Sequence, residues 1–412
     1  MGVNVTSARE VWGNRVVRRL VIARSLASFG SGMLPVALSF TILDRFHSAS
    51  DYGYVLGAQA LATVAVLFFA GVIGDRVPRK PLVMGSDMVI GLMRVVMALA
   101  GLLALQELWI YLVAQLAAGF AYSLFFPAFE GWFQAVIPME YRQQANALRS
   151  IYWNTGNILG PAIAGFLAAL VFPGWALLLS GLLPLGTVVI FVGLPPDLTH
   201  LERSASTFRQ DISEGWGAFR HRTWIWTVDL QFALWHVLAY APLVVLGPVL
   251  AIHYYHGPGG WGLIWGSVAV GGVVGGVWAF RSRSHRPLRL GLLALFATVS
   301  ILLALAFHLS IGYVLVAGAL SGMGLEYFSS LWGTLMQNHV PPEVMSKVTS
   351  FDWLASSALL PLGYAIVVPF SHLVGRSGVL EIGAGYIVVS TLLVVSVPQV
   401  WRLSRAPEPL DS

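Results

Sequence analysis

Gly71-Val-Ile-Gly-Asp75-Arg76-Val-Pro78-Arg79-Lys80-Pro81 separates two long apolar runs, 54–73 and 82–105. A helix crosses a bilayer in about 20 residues, so each run is long enough to span. The few residues between them therefore belong at the membrane–water boundary. They hold one acid, Asp75, and three bases, Arg76, Arg79 and Lys80. Positive charge there suits both helix C-terminal carbonyls and anionic headgroups. Pro78 and Pro81 stop one helix and prepare the start of the next, which places Asp75 just beyond a helix end.

Composition extends this reading to the whole chain. Of 412 residues, 57% are hydrophobic and 10% charged, whereas soluble domains carry about 25% charged residues. This is the balance of a polytopic membrane protein. The absence of cysteine excludes disulfides, thiolate metal sites and cysteine nucleophiles. The net charge of +5 is spread over loops between apolar runs, so it implies no nucleic-acid partner. The first apolar run follows Arg15, Arg18 and Arg19 without a small-residue cleavage site, and reads as a permanent first helix.

Twelve runs have spanning length: 18–44, 52–74, 82–105, 109–136, 143–172, 175–194, 224–253, 260–280, 288–309, 311–337, 344–370 and 379–400. With the N-terminus in the cytoplasm, 19 of the 24 Lys and Arg residues fall on the inner side, and only Arg45 and Arg376 on the outer. The positive-inside rule then places both termini in the cytoplasm. The expected organisation is an N-terminal six-helix bundle over 1–194, a linker over 195–223, and a C-terminal bundle with a short tail over 224–412. In the linker, Phe208, Ile212, Trp216 and Phe219 recur at helical spacing, predicting an amphipathic helix on the inner membrane surface. Phe125, Gln134 and Pro138 recur as Phe328, Gln337 and Pro341, a constant shift of 203 residues. Such duplication is found in transporters built from repeated halves.

Gly71, Asp75, Arg76, Arg79 and Lys80 match G-x-x-x-D-R-x-G-R-K, the signature of the major facilitator superfamily between its second and third helices. Pro78 stands in place of its second glycine. Gly156, Gly160, Pro161 and Gly165 resemble the fifth-helix motif G-x-x-x-G-P-x-x-G-G of that family's antiporter branch, with Ala164 replacing one glycine. The chain is most similar to the bacterial branch containing siderophore and macrolide exporters. The resemblance implies an all-α membrane protein of twelve transmembrane helices in two pseudo-symmetric six-helix bundles. It also implies that the signature loop acts as a cytoplasmic gating latch, and that the first, fourth, seventh and tenth helices line a central cavity. A multi-pass protein of the bacterial plasma (inner) membrane is expected, a monomer with no cofactor or metal.

Ionisable groups inside spans are costly unless paired or wet, which makes them functional candidates. The four lining helices carry Arg24, Glu130, Asp229 with His236, and Glu326. From a rise of ~1.5 Å per residue, Arg24 and Glu130 both lie roughly 9 Å from the inner end of their spans. An Arg24–Glu130 pair is expected, with Asp229 as competitor for Arg24, forming a gate that opens when a carboxyl is protonated. Glu326, near the middle of its span, is expected to bind a proton or a cationic substrate, with His236 as its hydrogen-bond partner. Asp87, Arg94, Arg149 and Asp352, on supporting helices, are expected to stabilise the latch near Asp75. Tyr122, Phe126, Trp235 and Tyr327 suggest an aromatic cavity for an amphipathic substrate. Gln115 stands where many proton-coupled drug exporters have arginine, so their proton relay does not carry over directly. His253 and His256 fall in an outer loop without a nearby acid and do not make a metal site.

The expected function is export of an amphipathic small organic molecule, of drug or siderophore class, by proton antiport. The rivals are a lysophospholipid flippase, an uptake symporter or facilitator, and a non-transporting receptor or scaffold. No nucleophile–base pair or metal constellation points to an enzyme.

Overall fold

The computed structural model describes residues 12–195 and 208–404, apart from the side chains at 67–76, 140, 142–143, 147, 150, 208–211 and 342. All secondary structure among the described residues is helical. In chain order the first helices are α1 (Arg15–Phe46), α2 (Ala49–Arg76), α3 (Arg79–Leu102), α4 (Leu108–Val136), α5 (Arg142–Leu170) and α6 (Pro173–Val192). A short helix, α7 (Phe208–Arg220), follows. The remainder are α8 (Thr223–Tyr254), α9 (Pro258–Arg281), α10 (Pro287–Ala306), α11 (Ile311–His339), α12 (Pro342–Ser357), α13 (Leu360–Ser396) and α14 (Pro398–Arg402).

Nine stretches among the described residues are long and apolar enough to cross a membrane: α1, α3, α4, α6, α8, α9, α10, α11 and the joined α12–α13. The difference from twelve has local causes. α5 is diluted by Gln144, Asn146, Arg149, Asn154 and Asn157. Much of the second half of α2 lies outside the described side chains. The runs 344–370 and 379–400 fall in one apolar stretch, Glu343–Ser396, broken inside α13 at Gly375. There φ is +82° and ψ 158°, a region open essentially to glycine alone.

The chain forms two compact units, one of Met1–Asp51 with Ala58–Ser204, the other of Tyr52–Gly57 with Ala205–Ser412. In the first unit α1 packs on α5 and α6, and α3 on α4 and α6. Trp132, Phe133, Phe191, Leu20 and Val83 are buried at its core. In the second, α9 packs along α11, and α13 meets α8 and α10. Many other large apolar side chains face outward, among them Phe166, Val189, Phe280 and Leu373. That suits helices whose outer surface meets lipid rather than water.

The 203-residue shift reappears between whole elements. α4 and α11 each have 29 residues, and Leu108–Val136 maps onto Ile311–His339 by the same offset. Local irregularities are also explained by sequence. Pro242 lacks an N–H, and its ring would crowd the carbonyl four residues back. The preceding residues His236–Tyr240 widen into a π turn, where the Ala241 N–H donates to His236 O.

One expectation is corrected here. α2 runs on through Arg76, so Asp75 lies in its last turn rather than beyond its end, and only Val77 and Pro78 link it to α3. The linker segment is helical as its spacing predicts, and it also docks on α12. Phe219 is buried, and the Trp216 and Phe219 rings lie 5.7 and 5.9 Å from that of Phe351. Lys347 Nζ donates to Glu214 Oε2 at 2.6 Å beside them.

Candidate functional site

The first unit holds a charge cluster built on α1, α3, α4 and α6. Arg24 is 9% exposed. Its guanidinium lies 4.0 Å from Asp87 Oδ2 and stands over the rings of Phe125 and Phe129 at 4.5 and 4.7 Å. Those two rings stack on each other. Thr187 Oγ1 on α6 donates to the same Asp87 oxygen at 2.6 Å. Arg94, seven residues after Asp87 and so on the same face of α3, donates to Ser180 O at 3.2 Å. One carboxylate thus faces two buried guanidinium groups, with a hydroxyl and two aromatic faces satisfying the remainder.

Glu130 is not the partner of Arg24. It accepts from Arg149 on α5 at 2.6 Å, a pair open to solvent by about a third. Equal depth along two helix axes left the rotation about each axis undetermined, and rotation decides which side chains meet. Arg149 and Asp87 are thus held in these pairs.

Of the signature, the side chains of Gly71, Asp75 and Arg76 lie outside the described residues. Arg79 lies across α4, where a Cβ on Gly131 would sit 2.6 Å from its Nε. Lys80 Nζ donates to Val192 O and Leu194 O at 3.2 and 2.5 Å, and Arg19 to Gly193 O at 3.0 Å. Two bases therefore satisfy the terminal carbonyls of α6 and complement its dipole. The fifth-helix motif brings two backbones together. A Cβ on Gly156 would meet Ser28 at 2.7 Å, and one on Gly160 would meet Gly32 at 2.8 Å. Pro161 and Gly165 continue the same helix.

Tyr122 and Phe126 are partly exposed on α4 and pack edge to face at 5.9 Å. Gln115 is buried and donates to Gln59 Oε1 on α2 at 3.2 Å.

The second unit carries a different set. Asp229 on α8 is 2% exposed, and its carboxyl lies beside that of Asp352 on α12. Trp332 Nε1 on α11 donates to Asp352 Oδ1 at 3.1 Å. His236 Nδ1 lies 2.8 Å from Ser356 O, and so donates to it. It does not partner Glu326, which instead accepts from Ser330 at 3.3 Å and faces the Gly272 and Gly276 positions of α9. A cavity of about 420 Å³ is lined by Ser282, Ser284, Ser330 and Thr334 among apolar residues. Trp235 stacks on Tyr240 at 5.3 Å. Tyr327 is buried, stacked on Trp278 at 4.2 Å, its hydroxyl 2.9 Å from Ser282 Oγ.

Sequence reasoning missed the Asp87 and Asp352 partnerships, although both acids were visible as charges within apolar runs. It also missed the glycines that seat α9 on α11. A Cβ on Gly271, Gly275 or Gly322 would collide with the facing backbone, and the signal was the run Gly271-Gly-Val-Val-Gly-Gly276.

Residues 20–364 match the profile of the Major Facilitator Superfamily. The chain is 25% identical to the enterobactin exporter EntS of Citrobacter koseri over 397 residues, covering 95% of this chain and 94% of that protein. It is 21% identical to macrolide efflux protein A of Streptococcus pyogenes over 357 residues, covering 84% and 86%. In structure it resembles a D-xylose–proton symporter with a TM-score of 0.75 at 13% identity, covering 94% and 100%. That likeness reports the fold alone. With the match spanning most of its helices, the chain belongs to the Major Facilitator Superfamily and is a multi-pass membrane transporter.

Proposed function

We propose that this protein exports an amphipathic small organic molecule, of drug or siderophore class, by proton antiport through alternating access. Twelve spans with both termini in the cytoplasm are part of that reading. The observation that carries it is near full-length similarity to an enterobactin exporter, in a chain whose membrane helices hold paired ionisable groups. The efflux relative and the fifth-helix motif packed against α1 support the outward direction. In this reading Glu130, Asp229 and Glu326 move or bind protons. Arg24 and His236 set their surroundings. Tyr122 and Phe126 in the first unit, and Trp235 in the second, offer aromatic surface to a substrate. The signature residues Gly71, Asp75, Arg76, Arg79 and Lys80 gate the inner side.

The test is accumulation of enterobactin and of erythromycin in inside-out membrane vesicles, energised by an acidic lumen. Export predicts accumulation of at least one compound that collapses when an ionophore dissipates the gradient. Accumulation indifferent to the gradient points to a facilitator. Movement of a labelled lysophospholipid, with neither compound accumulated, points to a flippase.

A further inference from the structure

Asp229 and Asp352 form a pair that the charges around them do not explain. Oδ2 of Asp229 is buried and meets no N–H or O–H donor among the described residues. No Lys or Arg among the described residues is ion-paired with either carboxyl. Several titratable groups on the packed elements have other engagements. Glu214 of α7 is bonded to Lys347 of α12, and Arg222 donates to Ala218 O. On α13, Tyr386 donates to Gln231 O. On α11, Glu326 accepts from Ser330, and His339 Nδ1 meets Leu335 O. His236, in the π turn of α8, donates to Ser356 O one turn beyond Asp352. The base of α14 is Arg402.

Two ionised carboxylates have only acceptors to offer each other, so side by side they repel unless a proton stands between them. In a membrane interior without a counter-cation, the doubly charged pair is also the costliest state available. A single proton held between the two oxygens leaves one negative charge, which Trp332 stabilises at Asp352 Oδ1. We propose that Asp229 and Asp352 form a shared-proton site, binding one proton between α8 and α12 and exchanging it during the transport cycle. The proton belongs to the pair and not to either residue. Movement of α12 against α8 separates the two carboxyls, exposes the uncompensated charge and releases the proton. As the coupling site this rests on the antiport reading; as a proton-holding pair it does not.

Infrared spectroscopy of the purified full chain in lipid nanodiscs tests the pair directly, without a transported ligand. At neutral pH the wild type should show a protonated-carboxyl band that shifts in deuterated water. Asp229→Asn and Asp352→Asn should each abolish it, because the asparagine amide replaces the shared proton as donor and leaves the remaining acid ionised. Glu130→Gln should leave it in place. A band that survives both single substitutions, or is missing from the wild type, overturns the shared site. Erythromycin transport in proteoliposomes then tests the coupling role. Asp352→Asn should lose gradient-driven accumulation yet keep exchange at equal pH. Unchanged gradient-driven accumulation overturns that role. A wild type with no erythromycin movement under any condition sinks the coupling role together with the antiport reading for that substrate, while the infrared result still decides the pair.

Discussion

Arg24 shows what a buried charge in a membrane helix needs. Its guanidinium is satisfied by Asp87 and by two phenylalanine faces rather than by water. Removing one partner of such a pair strands the other and costs about 3–5 kcal/mol, whereas removing both together costs far less. Asp87→Ala is therefore expected to lower the thermal unfolding temperature of the detergent-purified protein sharply, and Arg24→Ala/Asp87→Ala to recover much of it. Fluorescence-detected size-exclusion after heating reads both. Additive losses would show that the two residues do not interact. The ionisable residues themselves were legible, because a charge inside an apolar run stands out. Their partners were not. Counting residues gives height along a helix axis, but Arg24 and Glu130 at equal height met Asp87 and Arg149 instead. The rotation of each helix follows from how all its neighbours pack.

Helix-level features divide in a similar way. The fifth-helix motif is rich in glycine, which lets helices approach closely, and α5 does lie on α1 with Gly160 against Gly32. A side chain at Gly160 has backbone in its path, so relief requires moving a helix. Gly160→Leu is expected to cost about 1–3 kcal/mol or more from overpacking and to reduce recovery of monodisperse protein. Normal yield and stability would contradict the contact. Gly375 makes a second element-level prediction of a different kind. Nothing lies within 4 Å of a Cβ placed there, so Gly375→Ala meets no clash and only backbone strain. About 1–3 kcal/mol of destabilisation is expected, seen as a lower melting temperature. An unchanged melting temperature would place that glycine in another conformation. The break at Gly375 falls in the gap between the expected spans 344–370 and 379–400. The π turn before Pro242 passed unnoticed because a proline in a membrane helix more often reads as a simple kink.

At the scale of the molecule, the basic loops, the long linker and the 203-residue shift were the strongest signals, and α4 and α11 repeat at that offset residue for residue. Sidedness can be tested cleanly because the chain contains no cysteine. In intact cells, Ser310→Cys should react with a membrane-impermeant maleimide and His285→Cys only after permeabilisation. The opposite pattern would invert the proposed topology. What stayed illegible is the transported molecule. Aromatic and small residues build membrane packing and binding surfaces alike, as Tyr327 shows by lying buried against Trp278. The central claim is that substrate and protons move in opposite directions. Proteoliposomes with a trapped pH dye, challenged with enterobactin and erythromycin, test it most directly. The account predicts that one of these compounds triggers proton flux in the wild type, and that Glu130→Gln or Glu326→Gln abolishes it. Substrate movement without proton flux, in wild type and both variants alike, would contradict it.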